Sequence, residues 1–214
     1  MKTEKKNSKP CSMAGKNDSD SPPPSFRELF GLVEIQAIQD AFAKATGVAS
    51  IITELDGTPI TNPSNFCRLC RDIIRKTPEG LSNCMNSDAF IGRHNTDGPI
   101  VLPCLGGGLW DAGASIRVGG HHIANWIIGQ VRNEKTDEKR MRAYARSIGA
   151  DEQDFRAAFD EVPTMSLEQF TQVAQALFLI ANQLSQLAYQ KIIQERIILK
   201  QQKKIGRASC RERV

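Results

Sequence analysis

The stretch VASIITELDGTPI (residues 48–60) decides the fold class of this chain. It consists of a β-branched run, an Asp56-Gly57 turn and a second short run, which is the pattern of a β-hairpin. Before it, apolar residues recur at helical spacing, and Gly47 follows where a glycine commonly ends a helix. These apolar residues are Val33, Ile35, Ile38, Ala41, Phe42 and Ala45. The ordered chain is therefore predicted to open with a helix that leads into a sheet.

Further strands and helices follow this opening. PIVLPCLGGG (99–108) predicts a strand that runs into a glycine turn, and LWDAGASIRVGGHHIANWIIGQVR (109–132) predicts two alternating strands around Gly119-Gly120. Helices are predicted at residues 65–76, 78–93, 136–148 and 151–160, with Pro78 near the first helical position of the second. The expected fold class is α/β in the α+β sense, an antiparallel sheet flanked by helices.

A long helix is predicted at residues 166–205, capped by Ser166 or Thr164. It would be roughly 58 Å long at 1.5 Å per residue. Heptad a and d positions hold Phe170, Val173, Leu177, Ile180, Leu184 and Leu187, before Lys191 and Gln194 interrupt the seam. One interpretation is a core helix with a charged end. We favour a connector that forms a homodimer, because so long a helix at the end of a small domain has little else to pack against.

The composition is that of a soluble globular protein, with 40% hydrophobic and 24% charged residues. No apolar run approaches the roughly 18 residues of a membrane span, so no membrane association is expected. Residues 1–24 are polar throughout and lack the apolar core of a secretory signal, so they are predicted to be a disordered tail of a cytoplasmic protein. The final GRASCRERV (206–214) breaks the preceding periodicity and is interpreted as a non-native tail.

The net charge of +4 is unevenly distributed along the chain. Residues 1–24 contribute +2 and residues 190–214 contribute +6, which leaves −4 for the body between them. Nucleic-acid-binding domains cluster Lys and Arg on the fold itself. The charge distribution therefore argues against nucleic-acid binding by the core.

Four of the six cysteines lie in the pattern Cys67-x2-Cys70-x13-Cys84-x19-Cys104. A C-x2-C pair with two further thiolates can complete a tetrahedral sulfur shell for zinc or an iron–sulfur cluster. The same pair suits reversible thiol redox chemistry. Alternatively, the four side chains are small buried hydrophobes that line a pocket. A disulfide framework is disfavoured in the cytoplasm. These cysteines are the candidate metal ligands.

Polar and aromatic residues on the predicted strands indicate a small-ligand pocket. By strand alternation, Trp126 and Gln130 should share one face and Asn125 the other. His121 and His122 lie on opposite faces, so at most one points inward. An apolar pocket with a few placed polar groups is what a small-ligand sensor needs. The candidate ligand-binding residues are Phe66, Trp110, Asp111, His121, Trp126 and Gln130.

Several separated motifs together resemble the PocR-type sensory domain of prokaryotic signal transduction proteins. They are the helix and hairpin from FRELF to TPIT, the run NFCRLCRDIIRKTPEGLSNC, the turn PCLGGGLWDAGASI and the segment GGHHIANWIIGQV. The resemblance implies a PAS-like domain at residues 25–165 that binds a simple hydrocarbon derivative, such as a short diol, upstream of an output domain. The chain departs from the family pattern at Ser115, where a proline is usual.

No catalytic signature stands out, so an enzyme is not expected. The chain has no Ser-His-Asp order, and the glycine-rich LGGGLW lacks the Lys-Ser/Thr that would meet phosphate and magnesium. The sequence therefore predicts a cytoplasmic sensory domain that binds a small organic molecule and transmits through its C-terminal helix. The alternatives are a sensor or electron carrier with a cysteine-ligated metal or iron–sulfur cluster, and a zinc-stabilised interaction module.

Overall fold

The computed structural model describes the backbone of residues 24–211 and the side chains of residues 24–205. The predicted disordered tail therefore lies outside the described residues, apart from Pro24. Of the predicted non-native tail, only the backbone of residues 206–211 is described. Both interpretations stay predictions.

A four-stranded antiparallel sheet forms the centre of the molecule, as predicted. Its strands are β1 (Ala49–Thr53), β2 (Ile100–Pro103), β3 (Trp110–Val118) and β4 (His121–Val131), in the spatial order β1-β4-β3-β2. The β3–β4 hairpin turns at Gly119 and Gly120, whose φ angles of 56° and 90° suit the tight turns that connect antiparallel strands. The pairing brings Trp126 opposite both Ile52 and Ala114.

The first predicted hairpin forms only in part. The segment after the Asp56-Gly57 turn pairs with β1 through two isolated bridges, Thr53 with Pro59 and Ser50 with Ser64, instead of forming a strand. Both backbone hydrogen bonds around the first bridge form, from the Glu54 N–H to Thr58 O and from the Ile60 N–H to Ile52 O, but the Ile52 N–H then donates to the Thr61 hydroxyl, which interrupts a regular ladder. The sheet edge at β1 is therefore finished by a short loop.

Two helices precede the sheet, α1 (Phe26–Leu29) and α2 (Leu32–Thr46), and a third, α3 (Pro78–Ile91), follows β1. The predicted helix at residues 65–76 is instead a π-helical turn at Leu69–Ile73 that continues as a 3₁₀ turn at Ile74–Lys76. α3 starts where it was predicted, because the Thr77 hydroxyl accepts a hydrogen bond from the Gly80 N–H at 3.0 Å. The turn of residues 67–76 thus connects directly to α3.

The C-terminal part contains α4 (Glu138–Ser147), α5 (Glu152–Asp160) and α6 (Leu167–Arg211). Asp137 and Asp151 cap α4 and α5, and Ser166 caps α6 by accepting from the Gln169 N–H at 3.1 Å. α6 starts where it was predicted and continues beyond the predicted end at residue 205. No helix in the described part of the chain is both long enough and apolar enough to cross a lipid bilayer.

The sheet separates two layers of core. On one face, Trp126 and Ile116 pack with α2 and with the N-terminal half of α6. The α6 residues buried there are Phe170, Ala174, Leu177, Ala181, Leu184 and Ala188. On the other face, Ile51 and Ile127 pack with Phe66 and with Ile91 of α3. The residues that form the heptad seam at Phe170, Leu177 and Leu184 are therefore used by the core of the same chain.

Candidate functional site

A small cavity lies between the sheet and the cysteine-bearing turns, on the face away from α6. Its volume is about 30 Å³, enough for one or two water-sized groups. Apolar lining comes from Ile51, Phe66 and Ile127. Among the residues predicted for a site, those that line it are Phe66, Cys70, Cys84, Cys104, Asp111 and Gln130. The structure thus gathers most of the predicted metal ligands and half of the predicted ligand-binding residues around one space.

A β-bulge between β3 and β4 positions two of these residues. The pairing shifts between Trp110 and Ala112, and Gln130 has a φ of 60°. The Gln130 N–H donates to Asp111 Oδ1 at 2.9 Å, which satisfies the amide that the bulge leaves unpaired. Burial raises the pKa of Asp111 to about 7, and the hydrogen bond from Gln130 opposes this rise. The bulge therefore presents to the cavity a carboxyl group that titrates near neutral pH.

Because of the bulge, the orientation of Trp126 relative to Gln130 differs from the predicted one. Strand alternation placed Trp126 and Gln130 on one face, but the left-handed backbone at Gln130 interrupts the alternation and turns its side chain toward the cysteines. Trp126 faces the α6 layer, where its indole N–H donates to Ser50 Oγ at 2.8 Å. Asn125 faces the layer opposite to Trp126, as predicted, and lies against Gly92 at the end of α3.

Two other predicted ligand-binding residues also lie away from the cavity. Trp110 packs against the core on the α6 side of the sheet. His121 is exposed at the start of β4, beside the hairpin turn. The position of His121 follows from the strand direction, since its end of the β3–β4 hairpin is opposite to the bulge. Trp110 lies beside the bulge but faces the other side of the sheet from its neighbour Asp111. These residues have no direct route to a ligand in this cavity.

The strongest electrostatic feature of the cavity is a buried ion pair that no sequence pattern predicted. Arg75 and Asp88 line the cavity and form this ion pair at 2.8 Å, with 14% and 5% of their side chains exposed. The Arg75 guanidinium also lies over the Phe66 ring, 5.1 Å from its centroid. Burial raises the pKa of Asp88 to about 6, against the attraction of Arg75. Thirteen residues separate the pair, so no helical or strand spacing signals it.

The four cysteines are free thiols on two sides of the cavity. Cys70, Cys84 and Cys104 are buried in its wall, and Cys67 is partly exposed beside it. Burial raises the pKa of Cys84 to about 12 and that of Cys104 well above its ordinary value. Among the residues that the structure describes, no three His, Cys, Asp or Glu side chains are grouped so that they could hold a metal ion. Metal binding by the four cysteines stays a prediction.

Comparison with known proteins identifies the family. A family model of the sensory domain found in PocR matches residues 28–189. The chain belongs to this family. The regulatory protein PocR of Salmonella typhimurium (strain LT2) is 31% identical to this chain over 100 residues. These residues cover 46% of this chain and 32% of that protein. The chain thus matches only about a third of its curated relative. No solved structure matches it.

Membership of the PocR family indicates a sensory role in signalling, regulatory rather than catalytic. The departure from the family pattern at Ser115 has a local structural consequence. Ser115 Oγ and His94 Nδ1 are 3.0 Å apart, which connects β3 to the loop after α3. A proline at this position could not form that contact.

Proposed function

We propose that this PocR-type domain is a cytoplasmic sensor that binds a small, hydroxylated organic molecule in the cavity beside Asp111. The observation that carries the proposal is the cavity itself, which combines apolar walls with a buried carboxyl group and a buried ion pair. Ligand sites in proteins are typically apolar spaces with a few placed polar groups. Phe66 and Ile127 would contact the hydrocarbon part of the ligand.

The size and polarity of the cavity limit the ligand class. A space of about 30 Å³ admits only a few non-hydrogen atoms unless the surrounding turns move. Asp111 accepts one hydrogen bond from Gln130 and has a second carboxyl oxygen for a ligand hydroxyl. A short diol meets both requirements, since it is small and offers two hydroxyl groups on a hydrocarbon chain.

Transmission would occur through α6, whose C-terminal part extends away from the domain. Every described side chain from Gln194 to Ile205 is exposed, although several of them are apolar. These apolar residues are Ile197, Ile198, Leu199 and Ile205. We propose that this part of the helix pairs with a second copy of the chain, because a pair of parallel helices would cover these side chains. The ligand must then favour one arrangement of α6 over another.

Thermal unfolding with candidate ligands tests the binding proposal. A ligand that binds only the folded state at 100 times its Kd adds about 2.7 kcal/mol to the free energy of unfolding. We expect short vicinal diols to raise the Tm, and the corresponding alkanes and monoalcohols to have little effect. Asp111→Asn should weaken the response, because the variant keeps the acceptor for Gln130 but loses the carboxylate.

Trp126→Phe is the matched control, because Trp126 lies on the other face of the sheet from the cavity. This variant should keep the full response to the diol. A response that is lost in Trp126→Phe and retained in Asp111→Asn would place the ligand on the wrong side of the sheet and refute the proposal. No Tm change with any short hydroxylated compound would refute it as well.

A further inference from the structure

The C-x2-C pair has a geometry of its own beside the cavity. Cys67 and Cys70 lie three residues apart on one turn, in which the Arg71 N–H donates to the Cys67 carbonyl at 3.0 Å, so their side chains share one face. The two sulfurs are therefore direct neighbours on one turn of the chain. Cys70 lies within the π-helical turn of residues 69–73, a wide-turn geometry that often occurs at functional sites.

The two thiols differ in access and in acidity. Cys67 is partly exposed, whereas only 6% of Cys70 is exposed. The neighbouring Cys70 thiol lowers the pKa of Cys67, and the neighbouring Cys67 together with burial raises the pKa of Cys70 well above its ordinary value. An accessible thiol that ionises readily is the one that reacts with an oxidant, and a buried neighbour can then react with the product.

The other two cysteines described in the structure do not share these properties. Cys84 and Cys104 are both buried, and burial raises the pKa of each. Cys84 also lies against Gly106 in the glycine turn, which shields its sulfur. Reactivity toward external oxidants should therefore be confined to the 67–70 pair.

We propose that Cys67 and Cys70 form a thiol oxidation site that reacts with hydroperoxides and closes to an intramolecular disulfide. This inference goes beyond ligand sensing and does not depend on which ligand the cavity binds. The pair is attached to the cavity wall, because Cys70 lines the cavity and the Cys67 N–H donates to Gln130 Oε1 at 2.9 Å. Oxidation would thus alter the wall that the ligand contacts.

The chemistry proceeds in two balanced steps. The Cys67 thiolate attacks the terminal oxygen of a hydroperoxide, the O–O bond breaks, and Cys67 becomes a sulfenic acid while the proton of the thiol leaves with the alcohol or water. The Cys70 sulfur then attacks the Cys67 sulfur, an S–S bond forms, and the S–O bond breaks. The departing hydroxide takes the Cys70 proton to give water. Two electrons pass in total from the two sulfurs to the peroxide.

Mass spectrometry of the peroxide-treated protein tests this site. Cys11 and Cys210 are first replaced by serine, so that only the four cysteines near the cavity can react. We expect limited hydrogen peroxide at pH 7 to remove two hydrogen atoms per chain and to produce one peptide cross-link, between residues 67 and 70. Dithiothreitol should reverse the change. Cys67→Ser should abolish the cross-link, and Cys84→Ser, the matched control, should leave it intact.

Two further measurements keep the test decisive if a variant fails to fold. In the unsubstituted pair, N-ethylmaleimide should modify Cys67 at least about tenfold faster than Cys84, as expected from its access and acidity. In Cys70→Ser, dimedone should trap a sulfenic acid at Cys67. A cross-link between Cys84 and Cys104 would overturn the proposal, as would equal alkylation rates. One zinc ion per purified chain that protects all four thiols would overturn it too.

Discussion

The backbone N–H of Cys67 donates a hydrogen bond to the side-chain oxygen of Gln130 at 2.9 Å. This bond joins the turn that carries the cysteines to the bulge of the central sheet. The Gln130 N–H at the same time donates to Asp111 Oδ1. One residue therefore connects three parts of the cavity wall, and it can do so because its φ of 60° turns its side chain out of the strand alternation.

Replacing Gln130 tests this connection. Gln130→Ala leaves the Cys67 N–H without its partner and should lower the free energy of unfolding by about 1–3 kcal/mol. Gln130→Gly loses the same bond but adopts the left-handed backbone without strain, which should recover about 1 kcal/mol. Urea unfolding of the two variants gives both quantities. Equal stability of the alanine and glycine variants would contradict the left-handed conformation at this position.

The ion pair of Arg75 and Asp88 should contribute strongly to the integrity of the cavity. Asp88→Asn removes one charge and leaves the largely buried guanidinium without its counter-ion, for which we expect a loss of about 3–5 kcal/mol. Asp72→Asn is the matched control, because Asp72 pairs with Arg71 at the exposed surface and should leave the Tm nearly unchanged. Similar Tm values for the two variants, measured by circular dichroism, would show that the Arg75 pair is solvated.

The stability of the domain should depend on pH through Asp111. Its pKa is about 7 in the folded state and near 3.8 when unfolded, so the folded state retains a proton that the unfolded state releases between these values. The contribution is present below pH 4 and is lost as the pH rises toward 7. The charge of Asp88 also raises the pKa of Asp111, and the charge of Arg75 lowers it.

Comparison with Asp111→Asn isolates this carboxyl group. Between pH 4 and pH 8, the wild-type free energy of unfolding should fall relative to that of the variant, by about 1–4 kcal/mol. The contribution of His122, whose pKa is not shifted by Asp111, cancels in the difference. Urea unfolding of both proteins across this pH range measures it. If the wild-type free energy of unfolding instead rose relative to that of the variant as the pH increased, Asp111 would be stabilised as the anion.

The turn between β1 and the cysteine segment packs closely on α3. A Cβ atom at Gly57 would overlap the backbone carbonyl of Met85, and the φ of Gly57 is 88°. Gly47 has a similar φ of 76° but open space around it. Gly57→Ala should therefore lower the Tm much more than Gly47→Ala, which has only the strain of about 1–2 kcal/mol from the left-handed backbone. Equal effects would show that α3 moves away freely.

The projecting part of α6 should control the oligomeric state. We expect the protein to be a dimer by size-exclusion chromatography with light scattering, and Ile198→Glu to shift it to the monomer. Ile198 is 52% exposed, so the substitution should leave packing within the domain unchanged. Gln202→Glu adds the same charge at a polar position and should remain dimeric. A wild-type monomer at micromolar concentration would contradict the proposed pairing.

Much of the secondary structure was predictable because its signals are local. The turn glycines at 119 and 120, the caps at Thr77 and Ser166, and the alternating strands around them depend on residues a few positions apart. The departures also have local causes that carry weak signals. The Thr61 hydroxyl accepts from the Ile52 N–H and interrupts the first hairpin, and the π-helical turn at residues 69–73 replaces an ordinary helix.

The candidate site was predictable only in part. The clustering of the cysteines in sequence pointed to the cavity, since three of the four line it. The predicted orientation of Trp126 relative to Gln130 was wrong, because a β-bulge cannot be inferred from strand alternation. No sequence pattern predicted the ion pair of Arg75 and Asp88, since Arg75 lies in the 3₁₀ turn and Asp88 lies in α3.

The sequence by itself determined the fold class, the family, the order of the elements and the segment that carries the thiols. These properties follow from hydrophobic periodicity, turn residues and motif order, which are all written along the chain. Only the tertiary structure decided which face of the sheet forms the cavity, which charges are buried in it, and that the α6 seam packs on its own domain. Burial and the contacts between distant residues arise when the layers assemble, and no spacing along the chain specifies them.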